Sequence, residues 1–414
     1  MLTPKYLAGC TGDIVALYNA LNTSAVQDMS KRIVKYGRIT ETSNWQIKQL
    51  QECGYLQEDL IRDIAATSGY SEKYVRHLFN DAAVQNIRYE NDIAKLAGLD
   101  PIGINQSPQM SQLLAATIEK TNGNLSNLTL TSAVKTQQAY LEAVNLAYMQ
   151  VATETMPYNQ AIKNAIQSVA VNGLEVQYAS GAVSKIDSAI RMNVLTAVNQ
   201  TAGKLTMMYA EEMECDLVET TAHMGARPSH QDWQGHIFSL SGRSKEYAEF
   251  ESSTGYGSID GLCGAGCRHN FHLYFEKYSK PTYSQEYLED LANRTYEWNG
   301  KTLTDFECSA KQRQYERTIK EDKRVLSAYN AAIQNTQDEK IINTLKEDFQ
   351  IRSVRLKQHE KTMKDFCQAT NRKVDTSRTQ VHAVRDDYGN IVSFDRSTSM
   401  KAVWANKRAM NGRR

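Results

Sequence analysis

Residues 223–238, HMGARPSHQDWQGHIF, hold three of the chain's eight histidines and one of its four tryptophans. Widening the window to Cys215–His272 collects five of the eight histidines and three of the seven cysteines. Imidazole, thiol and indole gathered so densely demand a small, tightly specified unit, because each ring nitrogen needs a partner once buried. The local pattern is that of short strands. CDLVETTAH (215–223) alternates like a half-buried strand, and HIFSLSG (236–242) is a second strand ending in a turn. RHNFHLYF (268–275) is a third, with His269, Phe271, Leu273 and Phe275 on one face and Arg268, Asn270, His272 and Tyr274 on the other. A glycine-rich loop, STGYGSIDGLCGAGC, separates them.

Around this β-rich unit the chain reads as helix, so the expected class is α+β, predominantly α-helical. Six regions follow from the pattern: a helical N-terminal region at 1–98; a linker with a short helix and a strand at 99–131; a helical region at 132–213 with a strand and turn at 174–181; the His/Cys-rich unit at 214–280; a helical hairpin arm at 281–370; and a β-hairpin with a basic tail at 371–414. NGNLSNLTLT (122–131) supplies the expected turn and strand. Pro157 marks a helix start and Gly173 a helix end. In the long helix from Ser184, a Ser184–Asp187 cap precedes an apolar row of Ile186, Ile190, Val194 and Val198. The arm, rich in alternating charges and poor in apolar residues, reads as a solvated antiparallel pair turning at NTQD. The final hairpin is centred on Tyr388, Gly389 and Asn390.

At 414 residues the chain is long enough for at least two hydrophobic cores. With 48 basic and 47 acidic residues it has no global field to recruit nucleic acid. The charge is segregated, however: 371–414 hold ten basic and four acidic residues, a local +6 within a chain whose total is +1, so the remainder carries −5. Lys401, Lys407, Arg408, Arg413 and Arg414 are the candidate DNA-phosphate contacts, with Trp404 among them. A helix-turn-helix look-alike around Ala65, Gly69 and Val75 is surrounded by Glu58, Asp59, Asp63, Glu72 and Asp81, which a phosphate backbone repels; two helices packed at a Gly69 turn are the better reading. No apolar run is long enough for a membrane span, the opening MLTPKYLAGC lacks the charged and apolar regions of a signal peptide, and the irregular odd set of cysteines points to free thiols.

Two readings of the histidine-cysteine unit stay open. One is a set of hydrogen-bonded core histidines that fix loops. The other is a structural zinc site formed by His223, His230, Cys267 and His269, with Cys215 and Cys263 in reserve. The spacing matches no zinc motif, which favours the first. Catalysis has less support: the deaminase and zincin patterns are absent, and a Cys267–His230 pair with Asp260 or Asp232 is a drawing any such unit permits. Pro228 holds Arg227 extended, Arg227 offers its planar fork to carbonyls or a carboxylate such as Asp260, Trp233 supplies the core of a small unit, and Gly235 lets the chain turn beneath it.

The stretches AHMGARPSHQDWQGHIFSLSG and TGYGSIDGLCGAGCRH, with YASGAVSKIDSAIRMNVLTAVNQTA upstream, closely resemble the phage minor capsid protein 2 family of tailed phages and prophages. The strong resemblance covers about 150–280. Within it Gly225, Arg227, Pro228, Ser229, Trp233, Gln234, Gly235, Gly255, Gly257 and Arg268 are the residues expected to fix the fold. Family members carry Asn before the Cys-Arg-His run, where this chain has Ala265-Gly266, and Cys263 stands at a variable position, which weakens it as a ligand. The resemblance implies a virion structural protein made in the host cytoplasm, present in few copies at the portal vertex and inner head. Portal protein, major capsid protein and packaged double-stranded DNA are the implied partners, with no membrane and no catalytic activity. It also implies a distant likeness to Mu-type head morphogenesis proteins. A metal-dependent hydrolase or toxin-like module carried in the head is the alternative.

Overall fold

The computed structural model describes residues 1–39, 44–386 and 391–411. Helices take up 67% of it and the strands form only small antiparallel sheets, which is the predominantly helical α+β class. The chain opens with α1 (Pro4–Gly9), α2 (Gly12–Val34), α3 (Asn44–Leu96), α4 (Pro108–Ala152) and α5 (Tyr158–Asn172). The hairpin β1 (Glu175–Gln177) and β2 (Val183–Lys185) leads into α6 (Ile186–Glu212). Then come β3 (Leu217–Thr220), α7 (Pro228–Gln231), β4 (Ile237–Ser239), α8 (Phe250–Thr254), β5 (Phe271–Leu273) and α9 (Gln285–Asn293). The hairpin β6 (Thr295–Trp298) and β7 (Lys301–Thr304) precedes α10 (Asp305–Gln334) and α11 (Glu339–Ala369). The described chain ends with β8 (Ala383–Arg385), β9 (Ile391–Phe394) and α12 (Ser397–Asn411).

Contacts divide the chain into two compact units, each assembled from three segments. The first comprises Met1–Gly12, Ser71–Leu125 and Arg191–Lys311. Its sheet has the order β4-β3-β5, antiparallel throughout, with Val218 opposite Phe238 on one side and Leu273 on the other. Phe250, Phe271, Val218, Leu205 and Phe79 are fully buried. Glu90 is buried too, and accepts the Leu273 amide at 3.1 Å and the Thr206 hydroxyl at 3.3 Å. Phe271, His272 and Leu273 are all buried, so both faces of β5 are covered. His272 is accommodated by an ion-pair geometry with buried Glu219 at 3.2 Å.

The second unit comprises Asp13–Tyr70, Ser126–Ile190 and Gln312–Arg414. Tyr18, Tyr140, Ile162, Ile166, Ile319, Leu326 and Phe366 form its core. Arg32 spreads its guanidinium over Asp28 (2.7 Å) and Glu52 (2.9 Å). Gly173 closes α5 at φ +54 and ψ −150, and the next amide, Leu174, donates to Asn22 Oδ1 at 2.8 Å.

Several expectations need correction. Residues 122–131 are not a turn and strand but the middle of α4; packing of Leu125 and Thr129 overrides the β-branched texture of LTLT. Gly69 marks no turn, since α3 runs through it, and one buried stripe continues across it from Leu60, Ile64 and Thr67 to Ser71, Val75 and Leu78. Ser184 caps nothing: it pairs with Val176 in the β1-β2 hairpin, and Asp187 instead pairs with Lys320. The predicted row Ile186, Ile190, Val194, Val198 is buried.

The arm forms a helical pair turning at 335–338, but it begins with α9 and the β6-β7 hairpin, and it is not solvated throughout. Along α10, Val325, Leu326, Ala328, Tyr329 and Ala332 are buried, as are Lys323 and Arg324. Lys323 lies 3.8 Å from Glu360, and buried Asp322 lies 2.7 Å from Arg352 and 2.6 Å from His359. The β8-β9 pairing fits the expected C-terminal hairpin, while its centre at Tyr388, Gly389 and Asn390 lies outside the described residues. All seven cysteines are free, and among the described residues no helix is long and apolar enough to cross a membrane.

Candidate metal centre

The predicted site residues converge in the first unit from three places. Pro228, fixed near the φ of a helix start, opens the short α7 and so sets His230 and Trp233 on adjoining turns. The glycine-rich loop after α8 brings Asp260 alongside. Its compactness depends on Gly261, where a Cβ would sit 2.0 Å from the Gly255 carbonyl oxygen. Cys267 and His269 arrive on the segment just ahead of β5, clamped by Asn199 of α6. The Asn199 amide donates to the carbonyls of Cys267 (3.2 Å) and His269 (2.8 Å), and its Oδ1 accepts from Asn270 (2.7 Å).

His230, Cys267 and His269 are the one group of His, Cys, Asp or Glu side chains among the described residues with metal-site proximity, all ligand atoms lying within 4.8 Å. His230 Nδ1 is 3.3 Å from His269 Nδ1, and Cys267 Sγ is 3.9 Å and 3.6 Å from those nitrogens. The three side chains belong to residues only 2%, 2% and 1% exposed. Trp233 packs its indole against both rings, 4.6 Å from His230 and 4.8 Å from His269.

The opposite ring nitrogens define the protonation. His230 Nε2 is 2.8 Å from the Asp260 carbonyl oxygen, which only accepts, so Nε2 carries the proton. His269 Nε2 is 3.1 Å from Gln234 Oε1, which also accepts the His223 backbone N–H at 3.1 Å. The backbone donor fixes that atom as the amide oxygen, so His269 Nε2 is a donor as well. In both neutral rings the bare lone pair is therefore on Nδ1, and the two lone pairs face each other and the thiol. Burial and neighbouring positive charge push the pKa of His269 well down, and burial lowers that of His230, so neither ring is inclined to relieve the clash by protonation. Burial also raises the Cys267 thiol, while the His269 backbone N–H reaches its sulfur at 3.3 Å.

His223, the fourth predicted ligand, does not join them. Its Nδ1 lies 2.9 Å from the Met224 carbonyl and 3.4 Å from Arg268 Nη2, and its ring stacks on His269 at 4.2 Å. Burial, with the Arg268 charge, holds its pKa down at about 3. The reserve thiols are elsewhere: Cys215 contacts the Leu217 and Tyr274 carbonyls, and Cys263 the His269 carbonyl at 3.7 Å. Asn199, Asn270 and the Asp260 carbonyl were missed at the sequence level. The only signal was a polar residue next to the buried row that contains Val198.

The remaining signature residues surround this cluster. Arg227 donates to the Ala265 carbonyl, not to Asp260, and Gly266 donates to Thr196 Oγ1 at 3.0 Å. Gly225, Gly255 and Gly257 all have positive φ. So does Gly235, at φ +73, where a Cβ would meet Leu288 at 2.6 Å. Pro228 and Ser229 face solvent. Of the C-terminal basic residues, Lys401, Lys407 and Arg408 lie on α12 in the second unit, and Arg413 and Arg414 lie outside the described residues.

No curated protein and no solved structure matches this chain. A family model described as Phage minor capsid protein 2 matches residues 2–368, nearly the whole sequence and all of the cluster just described. The chain thus belongs to the phage minor capsid protein 2 family and is a component of a bacteriophage virion.

Proposed function

We propose that this minor capsid protein is a non-enzymatic structural part of the phage head that docks at the portal vertex, contacts portal and major capsid proteins, and touches packaged DNA through its basic C-terminal segment. The observation that carries the DNA contact is the outer face of α12. Met400, Lys401, Trp404 and Lys407 are exposed at helical spacing, Trp404 to 60%, while Ala402 and Ala405 on the opposite side are buried. Lys407 Nζ sits 5.1 Å from the Trp404 ring centre, and 397–414 contain five basic residues and no acid. Cations flanking an accessible aromatic suit a sequence-blind hold on phosphates with stacking or groove contact.

Docking on protein partners is supported by apolar surface that the sequence did not lead one to expect. Ile47, Leu50 and Ile61 of α3, and Leu130, Val134, Leu146 and Met149 of α4, are each about half exposed or more. Burial of the His230–Cys267–His269 group favours the structural reading over the hydrolase alternative, which would need a metal face open to substrate.

The test is the salt dependence of double-stranded DNA binding by the full chain. Replacing Lys401, Lys407 and Arg408 with Gln removes three phosphate contacts and lowers the slope of log K against log salt by about 2.7. An unchanged slope refutes the DNA contact. Cross-linking in assembled particles that captures shell protein but never portal refutes the vertex position.

A further inference from the structure

Independently of that reading, we infer that Cys267, His230 and His269 hold a structural zinc ion through Sγ, Nδ1 and Nδ1. Three observations meet here. The first is distance. Around a tetrahedral zinc with Zn–N of about 2.0–2.1 Å and Zn–S of about 2.3 Å, the N···N edge is about 3.3 Å and each S···N edge about 3.6 Å. The three edges in this protein are 3.3, 3.6 and 3.9 Å.

The second is the direction of the lone pairs. Asp260 O and Gln234 Oε1 each take the Nε2 proton of one ring, leaving both Nδ1 atoms bare and converging. A single thiol proton can satisfy only one of them. A cation satisfies both, along with the sulfur once the thiol proton has left to solvent. The third is the support around the ligands. A metal-bound imidazole ordinarily donates its other N–H to a carbonyl, which both rings do, and the His269 amide directed at Cys267 Sγ at 3.3 Å would stabilise a thiolate.

One borderline-soft thiolate with two imidazoles selects zinc over magnesium or calcium. His223 lies outside the group of mutually close ligand atoms, and its Nδ1 is taken up by Met224 and Arg268. Enclosure by Trp233 and the glycine-rich loop makes the ion a staple joining α7, that loop and the entry to β5.

The experiment uses the full chain purified without chelators. Elemental analysis is expected to give one zinc per chain. After exchange to cobalt, the spectrum should show intense tetrahedral d–d bands and a single-thiolate charge-transfer band. Cys267→Ser should abolish that band, whereas Cys263→Ser and His223→Gln should retain it and the full metal content. A wild-type chain with zinc well below one equivalent, or cobalt bound without the thiolate band, overturns the assignment with no variant needed. Loss of metal in Cys263→Ser or His223→Gln with retention in Cys267→Ser overturns the ligand set.

Discussion

Replacing Gly173 with Ala tests how the second unit joins α5 to its first hairpin. The residue sits at φ +54, ψ −150, a region that only glycine occupies without strain. Holding a Cβ there costs about 1–3 kcal/mol. The new Cβ would also lie 2.5 Å from Asn22 Oδ1, the atom that receives the Leu174 amide. Asn22 and Leu174 are both buried, so displacing the carboxamide leaves a donor without its acceptor, a further cost of about 1–3 kcal/mol. The expected destabilisation is about 2–6 kcal/mol, read from the urea midpoint by tryptophan fluorescence. Asn22→Ala alone should cost only the hydrogen-bond share. In the double variant the collision disappears, so the two effects must add to less than their sum. A Gly173→Ala chain within about 0.5 kcal/mol of wild type, the range of an ordinary surface change, would refute the argument. So would strict additivity in the double variant.

Two further outcomes follow from buried ionisable groups. Burial raises the Asp187 carboxyl, but Lys320 and Arg324 more than offset it, so its pKa lies below the ordinary 3.8. A depressed carboxylate stabilises the fold above its unfolded pKa, and that contribution is lost as pH falls through the lower folded value. Asp187→Asn should therefore weaken the protein at neutral pH and flatten its acid unfolding limb below about pH 4, whereas a parallel limb in both proteins removes Asp187 from acid stability. Among the seven thiols Cys10 alone is half-buried and the other six are buried, yet burial still pushes the Cys10 pKa up to about 11. A thiol-exchange reagent at pH 8 should modify Cys10 alone in the native chain, slowly, and all seven after denaturation; a second fast-reacting native thiol contradicts the buried placement of the others.

What could be read in advance was what is decided locally. Pro157 and Gly173 bound α5 because their backbone preferences act within a residue or two. The strands around Cys215–His272 and the helical pair turning at 335–338 followed from periodicity. Gly69 misled because a glycine inside a helix costs only about 1 kcal/mol, which the unbroken buried stripe of α3 outweighs. The burial of Lys323 and Arg324 was hidden because charge looks solvated until its partners, distant in the chain, are known. Three of the four expected metal ligands came together. His223 did not, since a sequence names a ring and not the direction its nitrogens face.

The two buried alanines on α12 have a mechanical consequence. Ala402 and Ala405 each contribute a single methyl, about 0.8 kcal/mol apiece, and the Lys401–Asn330 hydrogen bond adds about 1 kcal/mol. The outward face of this helix, where Trp404 is 60% exposed, can therefore be altered while the core of tyrosines and isoleucines stays closed.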